Sequence, residues 1–404
     1  MSPSGMVTTS SGDDWTVKSP DEMGMDASIL EEARAYAFEP SMNTQGIVIV
    51  RGGAIVAEWY SEDRDKDSWA ASWSMAKSFA SALIGIAIDE GLIQSVEQPM
   101  KDFFPEWDGQ AKGDITLRSV LWKQSGLDFR EDYSDLTSEI SMMSVQANGL
   151  GVAKNLQPRV EPDTSWYYSS GDTELLSGVI EAVTGKTATE YAQEKLFAPI
   201  GMSPAHWWTD PAGHTYTYCC IDTTTRHFAR FGLLFLRNGD WDGRQVISAD
   251  WVKVSTTNLA STYSGYAYQW WTADANTSVA FPPDMYSAQG LDTQRIIVIP
   301  SLDLVIAKNT WYTKPPGEPT TSGLGWALTF QPREGGGITQ YYTKEPLLWE
   351  DSVFVSKVVN SIEGSTKIQA EPSAVPGTSP ATRGARSVGR TRPARSATTA
   401  YRGA

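Results

Sequence analysis

Ser74-Met75-Ala76-Lys77, continued by Ser78-Phe79-Ala80-Ser81-Ala82-Leu83-Ile84-Gly85-Ile86-Ala87-Ile88-Asp89-Glu90-Gly91-Leu92, is the stretch on which fold and chemistry turn in this 404-residue chain. The apolar run predicts a buried helix with a serine at its mouth. Positions i and i+3 of a helix share one face, so the Lys77 amine reaches the Ser74 hydroxyl. A serine hydroxyl is a weak nucleophile until a base takes its proton. Lysine serves as that base only where burial or nearby positive charge lowers its pKa. The start of an apolar helix supplies both conditions, desolvation and the positive end of the helix dipole. The spacing alone is weak, because a capping serine and a surface lysine look the same. Of the fifteen lysines, however, only Lys77 has a serine three residues before it. A second segment, Trp166-Tyr167-Tyr168-Ser169-Ser170-Gly171-Asp172, lies just ahead of another helical run and supplies context.

Composition narrows the field. The length allows one large or two interleaved domains with ample core. No run of eighteen apolar residues occurs, so no membrane-spanning helix is expected. The N-terminal stretch is polar and acidic and lacks the apolar core of a secretory signal, so a cytoplasmic location is the expectation. The two cysteines, Cys219 and Cys220, are adjacent and exclude a disulfide framework. The formal net charge is −15. Six arginines and no acid follow Pro380, so the rest of the chain is more acidic still. An acidic body argues against nucleic acid or an anionic membrane as partner. Oligomeric state is not legible.

Gly46–Val50 and Ala54–Tyr60 read as strands split by the hairpin signal Arg51-Gly52-Gly53. From Met75 to about Phe235 the helical period dominates: Thr173–Gly185 with its terminal glycine as C-cap, then Thr187–Gly201, then Thr225–Gly239. Strand-like runs return at Tyr266–Trp271, around Ala288, at Gln294–Ile299 and at Asp303–Lys308, with a final amphipathic helix over Leu347–Ile362. Strands at both ends with helices between them predict an α+β fold: an antiparallel sheet flanked by helices and carrying an inserted, mainly helical domain. The expected layout is a flexible N-terminus over 1–22 and a sheet domain from 23–73 and 236–363. The helical domain covers 74–235, with the active site at the domain interface. A disordered basic tail, 364–404, is too poor in apolar residues to bury a core.

With the second segment in place, the chain resembles the serine β-lactamase and penicillin-binding-protein superfamily. The resemblance is to the class C branch that holds 6-aminohexanoate-dimer hydrolases and family VIII carboxylesterases. It is carried by Ser74-x-x-Lys77, by Tyr168-x-Ser170 about ninety residues on, and by Leu175-Leu176-x-Gly178. Echoes in Leu121–Phe129, Phe197–Met202 and Arg226–Val252 extend it over roughly Met23 to Ile362.

The resemblance implies a β-lactamase/transpeptidase-like fold and roles for particular residues. Ser74 would form an acyl-enzyme, Lys77 would accept or shuttle its proton, and Tyr168 would be the partner acid/base; which of the two is the first base stays open. Ser170 stands where the family has asparagine, and would bond Lys77 or substrate, or else cap the helix. The family's Lys/His-Thr/Ser-Gly strand is absent. Its best counterpart is Ala288-Gln289-Gly290-Leu291, in which Gln289 and Gly290 would line the substrate and the Leu291 N–H would join the Ser74 N–H as an oxyanion hole. Ala288 cannot meet the carboxylate of a β-lactam or D-Ala-D-Ala peptide, which argues against those substrates. Tyr133, after Arg130-Glu131-Asp132, matches in position the mobile-loop tyrosine that contacts the scissile amide in the dimer hydrolases.

Other chemistries lack their motifs. No G-x-S-x-G, G-x-G-x-x-G or G-x-x-x-x-G-K-[ST] occurs, and His206, His214 and His227 have no zinc-ligand spacing. No metal or cofactor is expected. Two readings of different class remain. One is a serine amidase or esterase acting on a small-molecule amide or ester. The other is a non-catalytic relative binding peptide or cell-wall fragments in the same cleft. Retention of Ser74, Lys77 and Tyr168 together favours the enzyme, and weak β-lactamase or DD-peptidase action is the remaining variant.

Overall fold

The computed structural model describes residues 15–39, 42–62, 64–133, 135–259, 262, 263, 265–273, 281–310 and 349–369. Six strands form one sheet: β1 (Thr44–Arg51), β2 (Ala54–Tyr60), β3 (Trp271–Thr272), β4 (Tyr286–Gly290), β5 (Gln294–Ile299) and β6 (Leu304–Thr310). Their order is β2-β1-β6-β5-β4-β3, antiparallel throughout. The two halves of the chain therefore meet at the β1–β6 seam, where Ile49 pairs with Ile306 and Val48 with Ala307.

Alternation decides what each face covers. Ile47, Ile49, Ile297, Ile299, Leu304 and Ile306 bury one face against helices α1 (Ala27–Ala37) and α5 (Asp351–Ser361). Val48, Val50, Ile296, Val298, Val305 and Ala307 join the other, larger core. That core holds α2 (Ala76–Asp89), α3 (Ser170–Thr184) and α4 (Thr225–Leu236). Every residue of α2 from Ala76 to Ala87 is buried, as a helix apolar on all sides must be. Gly185 ends α3 in the left-handed conformation, φ +66°, where a side chain would be strained.

Three expectations need correction. Residues 15–18 are ordered onto the sheet: Trp15 is buried, and Thr16 and Lys18 exchange backbone hydrogen bonds with Ile55 at 2.9 and 3.0 Å. The apolar Trp15 and Val17 have no counterpart in a purely polar leader. Helix α4, assigned to the helical insert, lies on β1, β5 and β6 instead. Gly232 permits this, since a Cβ there would sit 2.5 Å from Val305 Cγ1. The Tyr266–Trp271 run is not a strand up to Trp271, because Gln269 adopts φ +64° and turns the chain. Cys219 and Cys220 are bonded to each other, a link between neighbours that ties no distant segments. The closing helix starts at Asp351, and Leu347 and Leu348 lie outside the described residues, as does the tail from residue 370.

Candidate active site

Ser74 sits in a single 3-10 turn, Trp73–Met75, that leads into α2. The turn is pinned from behind. Ser72 N–H donates to the Ile221 carbonyl at 2.8 Å, and Ile221 N–H donates to Ser72 Oγ at 2.7 Å. Trp73 has φ +47°, an uncommon conformation for a residue with a side chain. Gly290, at the end of β4, lies against this turn: a Cβ on it would collide with the Ser72 carbonyl oxygen and reach 3.1 Å from Trp73 Cβ. The close approach for which the glycine is required is thus made by the turn that carries Ser74.

Lys77 is 2% exposed at the foot of α2. Its Nζ lies 3.0 Å from Ser74 Oγ, 3.1 Å from Ser170 Oγ and 2.7 Å from the Tyr218 carbonyl oxygen. Burial lowers its pKa to about 8, against the opposing fields of Glu131 and Glu174. Tyr168 shares a hydrogen bond with Ser74, and its ring centroid is 5.1 Å from Lys77 Nζ. Burial, followed by the Glu131 charge, raises the Tyr168 hydroxyl well above its ordinary value. The two groups are driven apart: the amine is made easier to deprotonate and the phenol harder.

The ambiguity at Ser170 resolves. Ser169 is the N-cap of α3, accepting from Asp172 N–H at 3.0 Å, and Ser170 is left free to face Lys77. Tyr133 is half-buried and donates from Oη to Glu131 Oε1 at 2.8 Å. Glu131 in turn accepts from Ser170 N–H at 2.9 Å and Ser170 Oγ–H at 2.7 Å. Gln289, also half-buried, donates from Nε2 to Ser287 Oγ at 3.0 Å. Leu291 opens a 3-10 turn, Leu291–Thr293, directly after Gly290.

Two groups escaped the sequence reading. Glu131 was visible only as part of the segment around Tyr133. Lys123, inside the Leu121–Phe129 echo, is 1% exposed and donates to the Ser169 carbonyl at 2.6 Å and to Thr173 Oγ1. Its amine lies 5.9 Å from the Tyr168 ring centroid, so a second buried lysine holds the start of α3 from beneath. Burial, then the Lys77 charge, pushes its pKa well down. A lysine within the apolar register before Ser125-Gly126 was the available signal.

The aromatic residues divide. Trp207, Trp208, Tyr216 and Trp270 are buried in the core. Half-buried Trp166 and Trp271 instead stand beside Tyr168, and half-buried Tyr263 lies against Trp166. Trp166 stacks on Tyr263 at 4.3 Å, and Trp271 on Tyr168 at 5.9 Å. A separate cavity of about 650 Å³, lined by Phe104, Trp107, Leu150 and His214 among others, shares no residue with this site. Among the described residues no group of three His, Cys, Asp or Glu is placed to hold a metal.

A helix-covered antiparallel sheet, with Ser-x-x-Lys at the start of one buried helix and a tyrosine at the mouth of the next, defines a β-lactamase/transpeptidase-like fold. The chain belongs to the β-lactamase family, whose model matches residues 36–321. It is 27% identical over 295 residues to the 6-aminohexanoate-dimer hydrolase of Paenarthrobacter ureafaciens, covering 66% of this chain and 73% of that one. A Bacillus anthracis protein assigned as a 6-aminohexanoate-dimer hydrolase superposes with a TM-score of 0.62 at 20% identity, over 74% of this chain and 82% of the other. A family VIII carboxylesterase superposes with a TM-score of 0.55 at 17% identity, over 73% and 95%. The protein is thus a β-lactamase-fold hydrolase by family.

Proposed function

We propose that the protein cleaves a small amide or ester through an acyl-enzyme on Ser74. The observation that carries this reading is the buried Lys77 amine, 3.0 Å from Ser74 Oγ and with its pKa lowered to about 8. Deprotonated Lys77 takes the Ser74 proton as Oγ bonds the substrate carbonyl carbon, and the carbonyl oxygen becomes an oxyanion. Donors at the Ser74 and Leu291 N–H groups would stabilise it. Tyr168, held neutral, donates its proton to the departing nitrogen or oxygen as that bond breaks. The proton on Lys77 then restores Tyr168. Water repeats the sequence: its proton passes to the same groups, its oxygen bonds the acyl carbon, and Ser74 recovers its hydrogen. The opposed pKa directions support an order of bases with the lysine as base and the phenol as acid.

What lines the site supports a substrate class. Ala288 is buried and offers no cation for a β-lactam carboxylate. The half-exposed Trp166 and Trp271 beside the proton-donating Tyr168, with Tyr263 against Trp166, suit a hydrocarbon segment on the leaving-group side. A linear aminohexanoate amide or a short-chain ester meets these demands, in keeping with the dimer-hydrolase relative. Steady-state assays with p-nitrophenyl butyrate, a 6-aminohexanoate dimer and nitrocefin test it. Turnover of the ester or the linear amide, slow nitrocefin hydrolysis and no turnover by Ser74→Ala are expected. Equal turnover by wild type and Ser74→Ala would overturn the reading, and silence of both towards all three would favour the binding role.

A further inference from the structure

Lys77 makes three polar contacts, and their acceptors differ in kind. The Tyr218 carbonyl carries no proton, so it only accepts. Ser170 Oγ has one proton, and that proton is directed 2.7 Å to Glu131 Oε1. Toward Lys77, 3.1 Å away, Ser170 Oγ therefore presents a lone pair. Ser74 Oγ is the third partner and keeps its own proton to give. An ammonium at Lys77 satisfies all three with its three N–H groups. A neutral amine has two N–H groups and one lone pair, and two of its partners cannot donate. Its lone pair is left for Ser74 Oγ alone.

From this we infer that Glu131 and Ser170 form a positioning pair that aims the Lys77 lone pair at Ser74 Oγ, with Glu131 setting the direction of the Ser170 hydroxyl. The inference rests on Ser74 being the nucleophile. The carboxylate is fixed on two sides: Ser170 N–H donates to Oε2 at 2.9 Å and Tyr133 Oη to Oε1 at 2.8 Å. Were Ser170 free to rotate, its hydroxyl would donate to the Lys77 lone pair and compete with Ser74. A serine with an external carboxylate thereby does here what the asparagine of related sequences, with carbonyl and amide on one side chain, is equipped to do alone. Glu131 also faces Lys77 as a charge, together with Glu174, while Lys123, Tyr168, Tyr133 and Tyr218 complete the titratable surroundings.

The test uses the full chain and p-nitrophenyl butyrate, comparing wild type, Glu131→Gln, Ser170→Ala, the double variant and Ser170→Asn. Glu131→Gln is expected to lower kcat about tenfold or more at the pH plateau, the scale of a misaligned catalytic group, with KM within about twofold. Its rate limb should move to lower pH, because a negative charge facing the Lys77 ammonium is gone. Ser170→Ala should lose a similar factor, and the double variant should be no worse than Ser170→Ala, as residues acting in series require. Ser170→Asn should recover most of the activity, and this arm remains decisive if Glu131→Gln unfolds. Additive losses in the double variant, an undiminished Glu131→Gln, or Ser170→Asn no better than Ser170→Ala would overturn the pairing. Inactive wild type would instead overturn the nucleophile reading, so the two failures are distinct.

Discussion

Lys77 is the residue at which fold and chemistry pull against each other. A buried ammonium is costly, and burial brings its pKa down to about 8 from an ordinary value above 10. The base form accumulates only as pH rises through about 8, so kcat/KM for p-nitrophenyl butyrate is expected to climb across that region with a slope of one proton. A profile flat from pH 6 to 9 would contradict the lysine-base assignment. Stability follows the same ionisation. Between pH 8 and the unfolded-state value, the unfolded chain binds more protons at this site than the folded one, so stability contributed by Lys77 rises with pH there. Lys77→Met is expected to cost ~10²–10⁴ in kcat, the usual range for a lost general base. It should leave the denaturation midpoint unchanged or raised, since an apolar side chain fills the same buried space without a charge. The approach of Lys77 to Ser74 was legible in the sequence because positions i and i+3 share a helix face, whereas Tyr168 was named from the family resemblance. Glu131 and Lys123 were not legible, because each reaches the site through a connection whose path no periodicity encodes.

Elements position these side chains by close approach. β4 meets the Ser72–Trp73 turn only because residue 290 has no side chain, and Gly290→Ala drives a Cβ into the Ser72 carbonyl. The backbone there is extended, φ −121°, so the penalty is steric and not conformational. We expect the turn holding Ser74 to shift, with activity falling far more than the ~1–3 kcal/mol of stability typical of overpacking. Enzyme assays and urea titrations on the same variant separate the two. Gly232→Ala presses α4 onto Val305 and Ile296 away from Ser74, at 2.5 and 2.8 Å. It should cost similar stability with kcat preserved in the folded fraction. The strands of the seam were readable from their continuous apolar runs, as were the three long helices from their period and caps. The Tyr266–Trp271 run misled because its aromatic content reads as strand, while the Gln269 side chain binds the Leu121 carbonyl at 2.8 Å and its own carbonyl takes the Ser78 hydroxyl at 2.7 Å. Those distant partners, absent from any local window, set the turn.

On the scale of the molecule, the sheet unites both ends of the described chain, and the candidate site forms where α2 meets α3 and the Ser74 turn meets β4. Ser74, Tyr168, the Tyr218 carbonyl and Gly290 come from four separated segments, so none of the chemistry survives in a fragment. Loss of esterase activity in urea is accordingly expected to coincide with loss of the near-ultraviolet circular dichroism of the aromatic core. Inactivation at clearly lower urea would show that the site opens as a separate unit. The division into sheet and helices was foreseeable from strands at the two ends with helical periodicity between them. The place of α4 on the sheet was not, because an apolar helix face does not name the surface that will cover it.

The most direct measurement is the intact mass of the protein within seconds of mixing with p-nitrophenyl butyrate, for wild type and Ser74→Ala side by side. The account predicts a butyryl adduct on wild type, localised to the peptide containing Ser74, and none on the variant. Adducts of equal yield on both proteins would place the nucleophile elsewhere and contradict it.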